Sequence, residues 1–111
     1  MSKDHPQLPR VAFGILLALS LKERHGYEII KQVQEDSNGK IKLGPGALYT
    51  SIKQLHKNGL ITEVDKPKET SRRYYKLTGA GVKALQTEIE YYENAVQLAR
   101  NRRLISPAWH A

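Results

Sequence analysis

The sequence predicts a mainly α fold with a small β-hairpin, an α+β chain. Three observations carry that reading. Apolar residues recur at helical spacing in three successive stretches between Leu8 and Leu55. Two β-rich runs, "LITEVD" and "RRYYKLT", then face each other across a polar loop, "KPKETS". A last helical repeat starts at Thr78 and runs nearly to the end of the chain. With 111 residues there is room for one domain with a single modest core.

In chain order, residues 1–8 are polar and proline-punctuated, which predicts a mobile arm. Leu8, Val11, Ala12, Ile15, Leu16 and Leu19 mark a first helix from near Pro9, and Phe13 and Leu17 widen its stripe, so it has more than one packing partner. A polar break at Lys22 to His25 precedes Tyr27, Ile29, Ile30 and Val33, a second helix closed by Ser37-Asn38-Gly39. "KIKL", residues 40–43, alternates and reads as a short strand. "GPGALYTSIKQLHKNGLI", residues 44–61, is a third helix with Leu48, Ile52 and Leu55 inside and Tyr49, Thr50, Lys53, Gln54 and Lys57 outside. Leu60 and Ile61 begin the hairpin.

Three helices followed by a hairpin with a basic tip match a winged helix-turn-helix, here residues 9–77, whose third helix enters the DNA major groove. The charge agrees: 18 Lys and Arg against 11 Asp and Glu give +7, which favours a polyanionic partner, double-stranded DNA first among them. Lys66, Lys68, Arg72, Arg73 and Lys76 crowd one hairpin, a concentration of like charge that weighs against the alternative, a winged-helix module that binds protein. Pro45 suits a first helical turn, where no N–H is needed. Its neighbours Gly44 and Gly46 either let the positive helix end approach a phosphate or serve a turn that requires glycine torsions.

Enzymatic readings fail on inventory. There is no cysteine, the histidines at 5, 25, 56 and 110 lack a ligand spacing, and no glycine loop leads into a phosphate-binding Lys-Ser or Lys-Thr. No metal or other cofactor is expected, and His25 and His56 read as turn and surface residues. The longest apolar run, "ILLALSL", is far short of the roughly 20 residues that span a bilayer, so no membrane association is expected and the cytoplasm is the expected location.

"HGYEIIKQV", "GPGALYTSIKQLHKNGLI" and "RRYYKLTGAG", in that order, resemble the PadR family of bacterial winged-helix transcriptional regulators, over about Val11 to Leu85. The resemblance implies a homodimeric DNA-binding repressor, often relieved by a small aromatic ligand. Tyr27, Leu48, Tyr49, Gly59, Tyr74, Tyr75, Leu77 and Thr78 fall on family-typical positions. Gly44 and Ala47 depart from the Ser and Thr that the family often carries there, which removes two hydroxyl contacts. The resulting DNA-facing set is Pro45, Gly46, Tyr49, Thr50, Lys53, Gln54, Lys68, Arg72, Arg73 and Tyr74.

Independently of that resemblance, Val82, Leu85, Ile89, Tyr92, Val96 and Ala99 alternate steps of three and four along residues 78–104, the seam of a helix that packs on another helix. A helix of about 25 residues is roughly 37 Å long, more than the domain beneath it, which points to a partner chain. Val11 and Ile15 of the first helix are expected to join the interface. An effector is expected near Tyr92, flanked by Tyr91 and faced by Phe13 or Leu16; the aromatic rings either sandwich a flat guest or close the interface without a cavity. The tail, residues 105–111, carries a lone Trp109 with no assigned role.

Overall fold

The computed structural model describes residues 8–65 and 72–105; the arm up to residue 7, the loop residues Lys66 and Lys68 and the tail with Trp109 lie outside them. Among the described residues, four helices and three short strands run in the order α1 (Arg10–Leu21), β1 (Arg24–His25), α2 (Gly26–Asp36), α3 (Pro45–Lys57), β2 (Ile61–Val64), β3 (Tyr74–Leu77) and α4 (Gly79–Asn101). This is a winged helix-turn-helix continued by a long helix.

α1 is the hub. It touches α2, α3, β3 and α4, and its Ala12, Ile15, Leu16, Ala18 and Leu19 are buried. Around it close Ile29 and Val33 of α2, Leu48, Ile52 and Leu55 of α3, Ile61, Tyr75 and Leu85. Fully burying a Leu or Ile side chain contributes about 1.5–3 kcal/mol, so the three inner residues of α3 fix how that helix is rotated and which face it turns to solvent.

The sheet differs from expectation in one strand. Its order is β1-β3-β2, all antiparallel, with Arg24 opposite Tyr75, His25 opposite Tyr74 and Ile61 opposite Leu77. Residues 40–43, expected as a strand, form none. Leu43 is buried and Ile41 half-buried, so the alternation there reflects packing without a ladder. The edge of β3 that such a strand would need is taken by Arg24 and His25. Arg24 is also buried, its Nε donating to the Ala18 carbonyl at 2.9 Å, which satisfies the last turns of α1.

Two junctions orient α3 and α4. α3 ends in a Schellman turn: Gly59 at φ 77° lets Leu60 N–H reach the Leu55 carbonyl at 3.0 Å. Thr78 then caps α4, its Oγ1 accepting from Gly81 N–H at 3.0 Å while donating to the Gly59 carbonyl at 2.6 Å. One hydroxyl thereby joins the end of α3 to the start of α4.

A Cβ on Gly81 would run into the Leu60 carbonyl, a backbone group with no rotamer to move aside, whereas one on Gly46 would meet open space. We expect Gly81→Ala to lower stability by about 1–3 kcal/mol and Gly46→Ala to leave it unchanged or slightly raised, read from paired thermal melts. Equal melting of the Gly81→Ala and wild-type proteins would reject the tight α3–α4 junction.

Candidate nucleic-acid interface

α3 presents its start without side chains. Gly44 is the N-cap, at φ −83°, and Pro45 holds the first helical position. Neither Gly44 nor Gly46 has a positive φ, and a Cβ on either would touch nothing. The turn therefore does not require glycine, and what the two residues provide is room at the positive end of the helix. Beyond it the outer face carries Tyr49, 52% exposed, with Thr50, Lys53, Gln54 and Lys57 also exposed.

Beside this end lies a groove lined by His25, Gly26, Tyr27, Tyr49, Arg72, Arg73 and Tyr75. It joins three pieces distant in sequence: the start of α2, the second turn of α3 and the base of the wing. Gly26 sets their approach, since a Cβ there would stand 2.6 Å from the Tyr49 hydroxyl and 3.1 Å from Leu48 Cδ2. Arg72 Nη1 lies 3.1 Å from His25 Nε2. Arg73 Nε lies 3.8 Å from Glu63 Oε2, with both side chains largely exposed, so that pair contributes little to stability. Burial pushes the Tyr75 hydroxyl above its ordinary pKa, Glu63 and Tyr49 add to the rise, and Arg73 opposes it. The phenol keeps its proton at neutral pH and brings no negative charge into a groove that holds two arginines.

The expected DNA-facing residues are thus partly gathered. Pro45, Gly46, Tyr49, Thr50, Lys53 and Gln54 share the exposed side of α3, and Arg72 and Arg73 stand exposed at the wing base next to Tyr49. Tyr74 is half-buried, its ring edge-on to His25 at 5.2 Å, where it builds the wing. His25, read from the sequence as a turn residue, is 6% exposed inside the sheet, while His56 is at the surface. His25, Gly26, Tyr27 and Tyr75 were missing from the expected site set. The signal for the first three was the "HGY" sequence, a glycine at a helix start, with Glu28 three residues after the histidine, whose Oε1 accepts from the His25 backbone N–H at 3.1 Å. No group of three or more metal-ligating side chains occurs among the described residues.

The residues expected in a dimer interface divide. Ile15 and Leu85 are buried in the chain's own core, and so is Leu16, expected near an effector; the breadth of the α1 stripe serves the four elements around it. Val11, Ile89 and Ala99 are half-buried, whereas Val82, Tyr92 and Val96 are each 41% exposed. Phe13 meets Tyr92 edge-on at 5.2 Å, Tyr92 meets Tyr91 at 5.6 Å, and an open groove runs past Phe13, Ile89, Tyr92 and Val96 to Arg100.

Comparison with known proteins agrees with this geometry. The model of the transcriptional regulator PadR-like family matches residues 15–87. Transcriptional regulator YqjI of Escherichia coli strain K12 is 32% identical over 79 residues, which are 71% of this chain and 37% of that protein. The chain therefore spans well under half of that curated relative. Among solved structures, a PadR family transcription regulator from hypervirulent Clostridium difficile is 27% identical with a TM-score of 0.74, over 87% of this chain and 100% of the other. Bacillus subtilis PadR in complex with operator DNA is 25% identical with a TM-score of 0.62, over 70% and 45% of the two chains. The matched proteins are transcriptional regulators and not enzymes, as the inventory of side chains led one to expect. With its three motifs lying inside the matched span, the chain belongs to the transcriptional regulator PadR-like family.

Proposed function

We propose that this protein is a sequence-specific DNA-binding repressor that works as a homodimer in the cytoplasm. The observation that carries the reading is the convergence of the bare start of α3, its Tyr49 and the wing-base arginines on one side of the domain. α3 lies in the major groove, with Lys53 and Gln54 able to reach base edges and Tyr49 and Thr50 the phosphates. The wing-base arginines follow the backbone. That a PadR of the same family has been solved on operator DNA supports carrying this partner over.

The second half of α4 supports the dimer. From Glu90 to Leu98 every residue is exposed, among them Tyr91, Tyr92, Val96 and Leu98, so the helix extends past its own core with apolar side chains uncovered. A second copy related by a two-fold axis covers Tyr92, Val96 and Ala99 with their own counterparts, and Val11, Val82 and Ile89 border the contact. Phe13, Tyr91 and Tyr92 form the face on which a planar aromatic effector would stack.

Replacing Arg72 and Arg73 together by Ala should weaken specific and random DNA alike and lower the salt slope by about 1–2 units per protomer; an unchanged slope in a salt titration rejects the wing contact. Val96→Glu places a charge in the seam and should yield monomers that no longer bind operator tightly. Light scattering that finds the wild type monomeric at micromolar concentration rejects the dimer. For the effector, calorimetry with planar aromatics should show binding to wild type and loss in Tyr92→Ala; equal affinity places the pocket elsewhere.

A further inference from the structure

Among the groove residues, His25 is buried yet has no place in the core, and its side chain points to the wing. We propose that His25 is a positioning residue: it fixes Arg72 against the start of α2, so that Arg72 and Tyr49 grip the same DNA phosphate. The inference rests on the DNA-binding reading above and deepens it.

The imidazole has little freedom. His25 is 6% exposed, pairs with Tyr74 in the sheet, lies edge-on to the Tyr74 ring at 5.2 Å, and has its backbone N–H held by Glu28 Oε1 at 3.1 Å. From this fixed ring, Nε2 stands 3.1 Å from Arg72 Nη1. A guanidinium only donates, so Nε2 accepts in the tautomer that carries the ring proton on Nδ1. Glu28 Oε1 is 3.6 Å from the same nitrogen, too far for a hydrogen bond. Arg72 is an exposed, rotamer-rich side chain just outside β3. Tethered to a buried ring, its planar fork keeps one orientation and loses less freedom when it meets a phosphate. A guanidinium has five N–H donors, so the bond to His25 does not exhaust it.

The tether aims Arg72 at a second phosphate donor. The Tyr49 hydroxyl lies 2.6 Å from where a Cβ on Gly26 would stand, so it rests against the first residue of α2, one position after His25. Arg72, the Tyr49 hydroxyl and the start of α2 line the same groove. A phosphodiester oxygen there takes a charge-assisted bond from Arg72 and a neutral one from Tyr49. His25 is almost wholly buried behind this pair, and acts through Arg72.

Two substitutions separate positioning from folding. In His25→Asn the residue stays a good N-cap for α2, but the side chain is too short to reach Arg72. In His25→Gln the amide oxygen stands about where Nε2 does and accepts the same bond. The probe is a random-sequence DNA duplex, which reads backbone contacts alone, titrated with the full-length protein at two salt concentrations, with thermal melts alongside. His25→Asn and Arg72→Ala should each weaken binding by about three- to tenfold, and the double variant should be no weaker than Arg72→Ala alone. His25→Gln should stay within about twofold of wild type. Wild-type affinity in His25→Asn, or losses that simply add in the double variant, would overturn the inference.

Should His25→Asn fail to fold, Arg72→Lys decides, because it leaves the core untouched. It should keep the wild-type salt slope, which Arg72→Ala lowers, yet bind about threefold more weakly than wild type at both salt concentrations, since a lysine supplies the charge but not the fork; full affinity with lysine overturns the positioning role. A wild-type protein that binds no duplex even at low salt overturns the DNA reading itself, before any variant is compared.

Discussion

The arrangement of the site depends on a two-residue pairing. Arg24 and His25 add to the edge of β3 that β2 leaves open, and this puts β3 in the middle of the sheet. Were that edge free, the wing would be a two-stranded ribbon, and such a ribbon by itself is marginal in water. With β1 in place, the residue before α2 and the residues before β3 are neighbours. Gly26 then lets Tyr49 of α3 close over the junction. α3, the start of α2 and the wing base are in this way held in one frame by backbone pairing and one missing Cβ.

Most of the frame was legible because it repeats. The periods of α1, α2, α3 and α4, the two runs of the hairpin, and the caps at Thr78 and Gly59 each leave a local signature that physics reads directly. β1 leaves none. Two residues are too few to show alternation, and both are polar, so "RH" resembles the turn around it while "KIKL" imitates a strand. The burial of Arg24 and His25 is bought by partners far along the chain, the Ala18 carbonyl and Arg72, which no local window contains.

The same limit explains the interface residues. A seam of alternating threes and fours does not say which neighbour each tooth engages. Leu85 meets the chain's own core and Tyr92 meets solvent, although the pattern through both is unbroken. Ile15 and Leu16 misled in the same way: an all-round apolar helix looks adhesive from the sequence, and here it is the centre of its own domain. Periodicity tells how a helix is sided, and only the packing tells what each side is for.

The Thr78 hydroxyl has a mechanical consequence. It spans from the Gly59 carbonyl to the Gly81 amide, and Gly81 seats directly on Leu60, so no compliant linker separates the end of α3 from the root of α4. α4 continues for 23 residues, roughly 34 Å at 1.5 Å per residue. It is a stiff beam held at its root by the end of α3 and along its first half by α1. Torque applied near Val96 is carried to α1 at Phe13 and to that root, and α1 and the Thr78 junction both pass it on to α3.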